Sequence, residues 1–447
     1  ADLGQNHIGE HLPAYAEAAE LIARADLAAV AHHADVADMA ETVVVGTVLG
    51  LPQMISSRAQ FGVYGAAIPL VLVVMLYLGF ASTGTVLSGQ AINSALGLGA
   101  NQPWVGISIF AGLTALVAIF GYNLIHTLGR ISSVVGIIGL GYLAIQLFST
   151  HDFTAALANS KFDLTAFLLA ASLSAGWQLT YGPYVADYSR YLPQDTKESH
   201  TFWATWLGSV VGATLSMTLG VFIAVAGGTA FLKNQVGYLG ALAGPAWIAL
   251  LIYLVIVVGK LTINTLNAYG GFMSIATTLT AFTGKDRMSP AMRAVWVILF
   301  NLAAAMIALL ATADFLSLFR NFILALLLVF TPWSAINLTD YYLISKERVD
   351  IPALYDPKGR YHGWNWGTII VYAVGVLVQI PFMSQTLYKG PFVDMLGGAD
   401  ISWLLGLAVT TLLYIPVARR TVVQPDAMIY PERSQIGHSV TIGKDAK

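Results

Sequence analysis

From residue 66 to residue 417 the chain alternates long apolar stretches with short polar breaks. Ten such stretches run at approximately 66–92, 104–125, 131–148, 166–186, 203–231, 247–281, 291–312, 315–340, 364–385 and 399–417. A helix needs about 20 mostly apolar residues to cross the hydrocarbon of a bilayer. Barrel strands need only about 10, with strict alternation, and no alternation is present here. The stretches therefore predict an all-α, polytopic membrane protein. Composition agrees: 57% of the 447 residues are apolar and only 10% are charged. A soluble domain carries roughly 25% charged residues, so this chain has too little polar material to cover a water-facing surface. Lipid is the natural partner of the excess. The net charge of -2, with no basic patch, gives no support to nucleic-acid binding. The absence of cysteine removes disulfides, thiol catalysis and Cys-ligated metals.

Lysine and arginine in the breaks predict orientation. Numbering the loops alternately, one side receives Arg58, Arg130, Arg190, Lys197, Lys285, Arg287, Arg293, Lys346, Arg348, Lys358, Arg360, Arg419 and Arg420. The other receives Lys161, Lys233 and Lys389. The first side is expected to be cytoplasmic, in the inner (plasma) membrane, together with the polar tail 421–447. A missed span would have scrambled this segregation.

Residues 1–42 stand apart. They hold eight of the 24 acidic residues, one Arg and four His in an Ala-rich background. They could form a helix, but not a span, with Glu17, Glu20, Arg24, Asp26, Asp35, Asp38 and Glu41 spread along segment 14–41. His32, His33, Asp35 and Asp38 admit a metal-cluster reading, against which stands an ordinary solvated helix face. Residues 43–55 then turn apolar, too briefly for a span. The expected division is an atypical segment 1–42, a transmembrane domain 43–420 with about ten full spans, and the tail.

Within the spans, Lys260 is the most informative residue. It sits near the middle of an apolar stretch of 35 residues, 247–281. A charge at that depth costs about 3 kcal/mol on insertion scales, and the ammonium is too deep to reach an interface easily. Two readings stand: a proton-coupling group, or fixed substitute for a bound cation, and a structural cation donating to carbonyls. Thr262, Asn264, Thr265 and Asn267 follow. Polar residues three apart share a helix face, so Asn264 and Asn267 point together. Their amides offer donor and acceptor to the edge of a nucleobase or lactam, or to neighbouring helices. In 174–193, Trp177 and Gln178 precede Gly182-Pro183, which can interrupt a helix. Broken helices at mid-depth expose backbone groups to solutes, and an indole beside an amide suits a planar ring. The alternative for Trp177 is a packed aromatic. In 74–90, Tyr77 and Ala81 lie one turn apart, as do Gly84 and Ser88, and small residues permit close helix approach.

At these residues the sequence resembles the nucleobase–cation symporter family, in its purine–cytosine permease branch. The resemblance is carried by Gly50–Pro69 (GLPQMISSRAQFGVYGAAIP), Ser88–Ala91 (SGQA), Tyr184–Pro193 (YVADYSRYLP) and the Asn-bearing stretch 260–271. It extends from about residue 44 to 420. It implies an inverted five-plus-five helix repeat with two further helices, one central site, and import of a nucleobase or related heterocycle coupled to a cation. The ten stretches would then be the third to twelfth spans, leaving the first span and most of the second missing or altered. Residues 1–42 have the character of a frame-shifted or replaced segment, which would make a non-transporting product an alternative. By resemblance, the third-span site aromatic falls on Tyr77 and the polar residue one turn later on Ala81, which cannot supply its side-chain hydrogen bond. The sixth-span stacking aromatic falls on Trp177 or, shifted by one, on Gln178. The eighth-span amides fall on Asn264 and Asn267. The sodium-site positions fall on Gly259, Thr262 and Ile263, one hydroxyl short and beside Lys260, which favours protons over sodium. No cofactor or metal is expected. A transporter of the same fold for another solute, such as an amino acid, is a further alternative. A membrane enzyme has no nucleophile–base pair in the spans to support it.

Overall fold

The computed structural model describes residues 53–98, 102–120, 122–158, 161–184, 196–283, 289–385, 388–398, 400–421 and 424–429. The expectations for residues 1–42, for the first two spans and for the tail beyond residue 429 fall outside these.

Each of the ten apolar stretches contains a helix. Two short helices, α1 (Gln53–Ser56) and α2 (Arg58–Phe61), lead into α3 (Ala67–Ala95). Then come α4 (Pro103–Phe120), α5 (Tyr122–Thr150), the short α6 (Thr154–Ala158) and α7 (Leu164–Leu179). They are followed by α8 (Glu198–Lys233), α9 (Gln235–Leu242), α10 (Ala246–Thr283) and α11 (Pro290–Ala311). The last three are α12 (Phe315–Leu338), α13 (Trp366–Leu377) and α14 (Ser402–Thr421). In hydrocarbon every backbone group needs an internal partner, which is why apolar runs of this length become helices. Helix starts sit where side chains take up the first free N–H groups. Asp163 accepts from Ala166 N, Asn234 from Gly237 N, Ser289 from Met292 N and Asn365 from Thr368 N. Inside α8, Gly228 adopts φ 46° and kinks the helix, a conformation without steric penalty only for glycine.

Contacts among the described loop residues stay within the two groups set by the charge alternation. At the basic end, the Arg58 guanidinium donates to Leu354 O (3.2 Å) and Thr277 O (3.1 Å). Tyr64 stacks on Phe282 with ring centroids 5.2 Å apart, and Arg360 donates to Gln424 O (3.0 Å). At the opposite end, Asn93 donates to Gln102 O (2.9 Å), Tyr142 to Ala243 O (2.9 Å) and Thr165 to Gly397 O (2.8 Å).

The centre is the pair α3 and α10. Leu70, Val73, Leu76, Tyr77 and Ala81 of α3 are fully or nearly fully buried and pack with Ala268 and Phe272 of α10. Small residues set the approach. A Cβ at Gly84 would lie 2.1 Å from Asn264 Oδ1, and one at Gly270 would lie 2.6 Å from the Tyr77 ring. On the periphery, apolar side chains point outward: Ile137 is 74% exposed, Leu310 83% and Leu412 70%. That surface is the lipid-facing one the composition required.

Candidate functional site in the centre of the bundle

α7 stops at Leu179, its chain turns through Thr180 and Tyr181, and helix resumes at Gly182, Pro183 and Tyr184. Pro cannot donate to the ladder, and the interruption falls just ahead of the Gly182-Pro183 pair expected to carry it. α7 reaches this depth because Gly176 lets it close on α12: a Cβ there would lie 2.8 Å from Ile323 Cγ2. Trp177, Tyr181 and Tyr184 follow at i, i+4 and i+7 and face the α3–α10 pair.

There they meet an aromatic cluster. The Tyr77 and Tyr184 rings are edge-to-face at 4.7 Å. Phe80 is edge-to-face with Trp177 (5.4 Å), Tyr184 (6.3 Å) and Phe322 of α12 (5.4 Å). Tyr181 stacks on Tyr184 at 5.5 Å. Edge-to-face packing directs the positive rim of one ring at the negative face of the next. Trp177 is the most open of the group, 37% exposed, while Tyr77 and Tyr184 are buried.

The polar side of the cluster comes from α10. At about 100° per residue, Lys260, Asn264 and Asn267 fall within about 60° of one another around the helix, with Thr262 on the opposite face. The two Asn side chains share that face but not one task. Asn264 is committed to α3: its Nδ2 donates to Ala81 O (2.8 Å) and Thr85 Oγ1 (3.1 Å). Its Oδ1 sits against Gly84. Asn267 instead turns to the broken helix, where its Oδ1 accepts from the Tyr184 hydroxyl (2.7 Å). Its Nδ2 is buried without a partner, and the residue is 0% exposed.

The other predicted residues separate. Tyr77 and Trp177 belong to the cluster. Ala81 contributes its backbone carbonyl, not its side chain. Gln178 faces away, donating to Ser209 Oγ of α8 (2.8 Å), so of the two alternatives it is Trp177 that reaches the rings. Lys260, one turn before Asn264, makes no hydrogen bond or ion pair among the described residues. Thr262 points to α5, with its hydroxyl 3.1 Å from Ser132 Oγ. Gly259 has open space where a Cβ would be. Gly259 and Thr262, about 60° apart, thus share one face of α10 while Lys260 lies on another, so the three do not converge. Sequence reasoning did not single out Phe80, Tyr181, Tyr184 or Phe322. The 177–181–184 spacing was a signal for two of them; nothing local marked Phe80 or Phe322.

A family profile described as "permease for cytosine/purines, uracil, thiamine, allantoin" matches residues 36–406. A Bacillus subtilis protein bearing the purine-cytosine permease name, YxlA, is 38% identical over 376 residues, which cover 84% of this chain and 81% of that protein. The purine-cytosine permease fcyB of Emericella nidulans is 24% identical over 374 residues, covering 82% and 72%. Among solved structures, the closed form of Mhp1, a nucleobase-cation-symport-1 family transporter, superposes with a TM-score of 0.68. It covers 90% of this chain and 88% of Mhp1 at 20% identity. At that identity the likeness speaks for the fold, which is the inverted-repeat transporter fold expected from the sequence. With the profile match over most of its length and the YxlA identity, the chain belongs to the nucleobase–cation symporter family of membrane permeases.

Proposed function

We propose that this protein is a proton-coupled permease that imports a nucleobase or closely related heterocycle at the aromatic cluster between α3, α7, α10 and α12. The observation that carries the reading is the buried Asn267 amide nitrogen, left without a partner beside packed aromatic rings. An unpaired buried donor costs about 1–3 kcal/mol, and a carbonyl or ring nitrogen of a bound heterocycle relieves that cost. The open indole of Trp177 offers a stacking face, and Tyr77 closes the far side. Gly259, Lys260 and Thr262 are the coupling candidates. Lys260 lies more than ~20 Å along the axis from either end of α10. A fixed cation there takes the part a bound sodium would play, which favours protons. The basic end of the bundle, and with it the C-terminal tail, faces the cytoplasm. The names of the relatives support the heterocycle class and transport.

The test is uptake of radiolabelled cytosine, hypoxanthine, uracil and allantoin by cells lacking their own permeases. Each is measured with and without sodium and with a protonophore. Saturable uptake that the protonophore abolishes and sodium leaves unchanged is the expected result. Sodium-dependent uptake would overturn the coupling, and no uptake of any of the four would overturn the substrate class.

A further inference from the structure

We infer that the groove between α13 and α14 at the basic end is a binding site for an anionic phospholipid, with its headgroup at Arg420, Arg419 beside it, and one acyl chain lying along α13. The inference goes beyond the transport reading and does not depend on the solute carried.

The groove follows from helix geometry. α13 starts and α14 ends at the basic end, so the two run antiparallel. They touch at Gly367, where a Cβ would lie 2.8 Å from Val417 Cγ1 and 3.1 Å from Thr421 Cγ2. One flank of the pair is buried, with Tyr372 of α13 and Tyr414 of α14 turned into the core. The other flank is open. On α13 it carries Trp366, Ile370 and Leu377, which are 62%, 60% and 61% exposed, with Val374 between them. Their spacing keeps the four within about 80° of one another around the helix. At about 100° per residue, taken in opposite senses along antiparallel helices, Arg420 and Leu413 of α14 fall on that same flank. Trp366 therefore stands beside Arg420 at the mouth, and the apolar stripe runs down from them.

Length identifies the occupant. From Trp366 to Leu377 the stripe extends ~16 Å, against roughly 15 Å for one leaflet of the hydrocarbon core. A lipid chain entering at the headgroup level spans that distance. Charge identifies the headgroup. Arg419 and Arg420 are exposed in the last turn of α14 and make no ion pair or hydrogen bond among the described residues. A guanidinium fork matches phosphate oxygens, and it is charged at every physiological pH. The Trp366 indole is held in place by stacking on Trp364 at 5.5 Å, which in turn meets Tyr64 at 6.4 Å. The opposite end differs. Trp104 and Trp247 are also exposed in the first turns of their helices, as expected of an interfacial aromatic belt. The loops there carry no arginine, and Lys389 is taken by Asp394. The belt is common to both ends, whereas free guanidiniums beside an open apolar stripe are found at this groove.

The purified full chain, stripped of lipid, is titrated with phosphatidylglycerol and with phosphatidylcholine of the same acyl chains, and bound lipid is counted by native mass spectrometry. Tighter retention of phosphatidylglycerol is expected. Arg419→Ala combined with Arg420→Ala should weaken it by about fivefold for each guanidinium removed, with phosphatidylcholine unchanged. Ile370→Trp fills the stripe without altering charge and should weaken both lipids. These side chains lie on the surface, so the thermal midpoint in lipid-free detergent checks that each variant is folded. Equal retention of the two lipids overturns the inference, as does a phosphatidylglycerol preference that survives the arginine substitutions. Displacement of bound phosphatidylglycerol by excess inorganic phosphate would mark a bare anion site and overturns the lipid assignment. Retention unaffected by Ile370→Trp overturns the placement of the chain along α13.

Discussion

Two buried polar centres in this molecule are built on opposite principles. Near the basic end, Asp340 lies in a π-helical turn, Thr339–Ile344, that continues α12. Its Oδ1 accepts from the Tyr414 hydroxyl (2.8 Å), and its Oδ2 from Gln60 Nε2 (3.1 Å) and Ser345 Oγ (3.1 Å). Three elements, α2, the π turn and α14, converge on one carboxylate that has both oxygens occupied. In the middle of the bundle, Asn267 has one end occupied and the other free. Both residues are sealed from solvent, at 1% and 0% exposure. A fully engaged buried network gives rigidity, whereas an incompletely engaged one keeps free energy in reserve for a ligand. Burial alone therefore does not separate the two centres, and neither does a count of unpaired atoms, since Asn264 Oδ1 and Gln60 Oε1 are unpaired as well; what marks Asn267 is that its unpaired atom lies beside the Tyr77–Tyr184 rings.

Removing the carboxylate should break this contrast most severely. Asp340→Ala strands two buried donors, Tyr414 Oη and Gln60 Nε2, while Ser345 Oγ keeps the Asp340 backbone carbonyl, and we expect a stability loss of about 3 kcal/mol. It would be read as a large drop in the thermal midpoint of purified protein, with Asp340→Asn recovering part of it. A drop as small as that of a surface substitution would mean the centre is not structural. The two asparagines sharpen the comparison next. Asn264→Ala removes two bonds across the α3–α10 contact and should cost about 1–3 kcal/mol. Asn267→Ala deletes an unpaired donor along with one bond, so it should change stability by less than about 1 kcal/mol while uptake is lost. Equal destabilisation by both would erase the distinction. The smallest effect on the whole protein belongs to Tyr361, in the loop of the basic end, whose loss touches stability alone and leaves uptake unchanged. Burial, reinforced by nearby Asp350 and only partly offset by the backbone N–H of Asp350, pushes its phenol up to about 12. The folded state thus favours the neutral ring. Its contribution is complete below the unfolded value of about 10 and is lost as pH rises through about 12. Tyr361→Phe should cost about 1 kcal/mol at neutral pH, because the Asp350 N–H loses its acceptor at 2.9 Å. It should also flatten the alkaline decline in thermal midpoint between those two values. An identical alkaline profile would place the responsible group elsewhere.

How much of this could be read beforehand depended on the range of the forces involved. Spans and their alternation follow from local hydropathy and loop charge, and each apolar stretch holds its helix. The existence of the α7 break was legible from Gly182-Pro183 because backbone chemistry is local, although the turn itself falls just before them, at Thr180 and Tyr181. The direction in which a polar side chain points was not. Asn264 and Asn267 share a face by periodicity, yet one is captured by Ala81 O and the other by Tyr184, partners 183 and 83 residues away. Trp177 and Gln178 were interchangeable in sequence until α8 supplied Ser209 for the amide. Lys260 and Thr262 are near neighbours in the chain but face opposite ways around α10, a separation periodicity itself contains. Asp340 gave no sign in advance, since its three donors come from residues 60, 345 and 414.

The Asn264 contact has a mechanical consequence. With its amide seated on Ala81 O and Thr85 and its oxygen pressed to Gly84, while Gly270 receives the Tyr77 ring one and a half turns further along α10, the two helices are pinned at two heights. A pair pinned twice can neither slide nor roll, so it moves as a single rigid beam. An opening that leaves this beam intact draws instead on the interrupted helix that faces it.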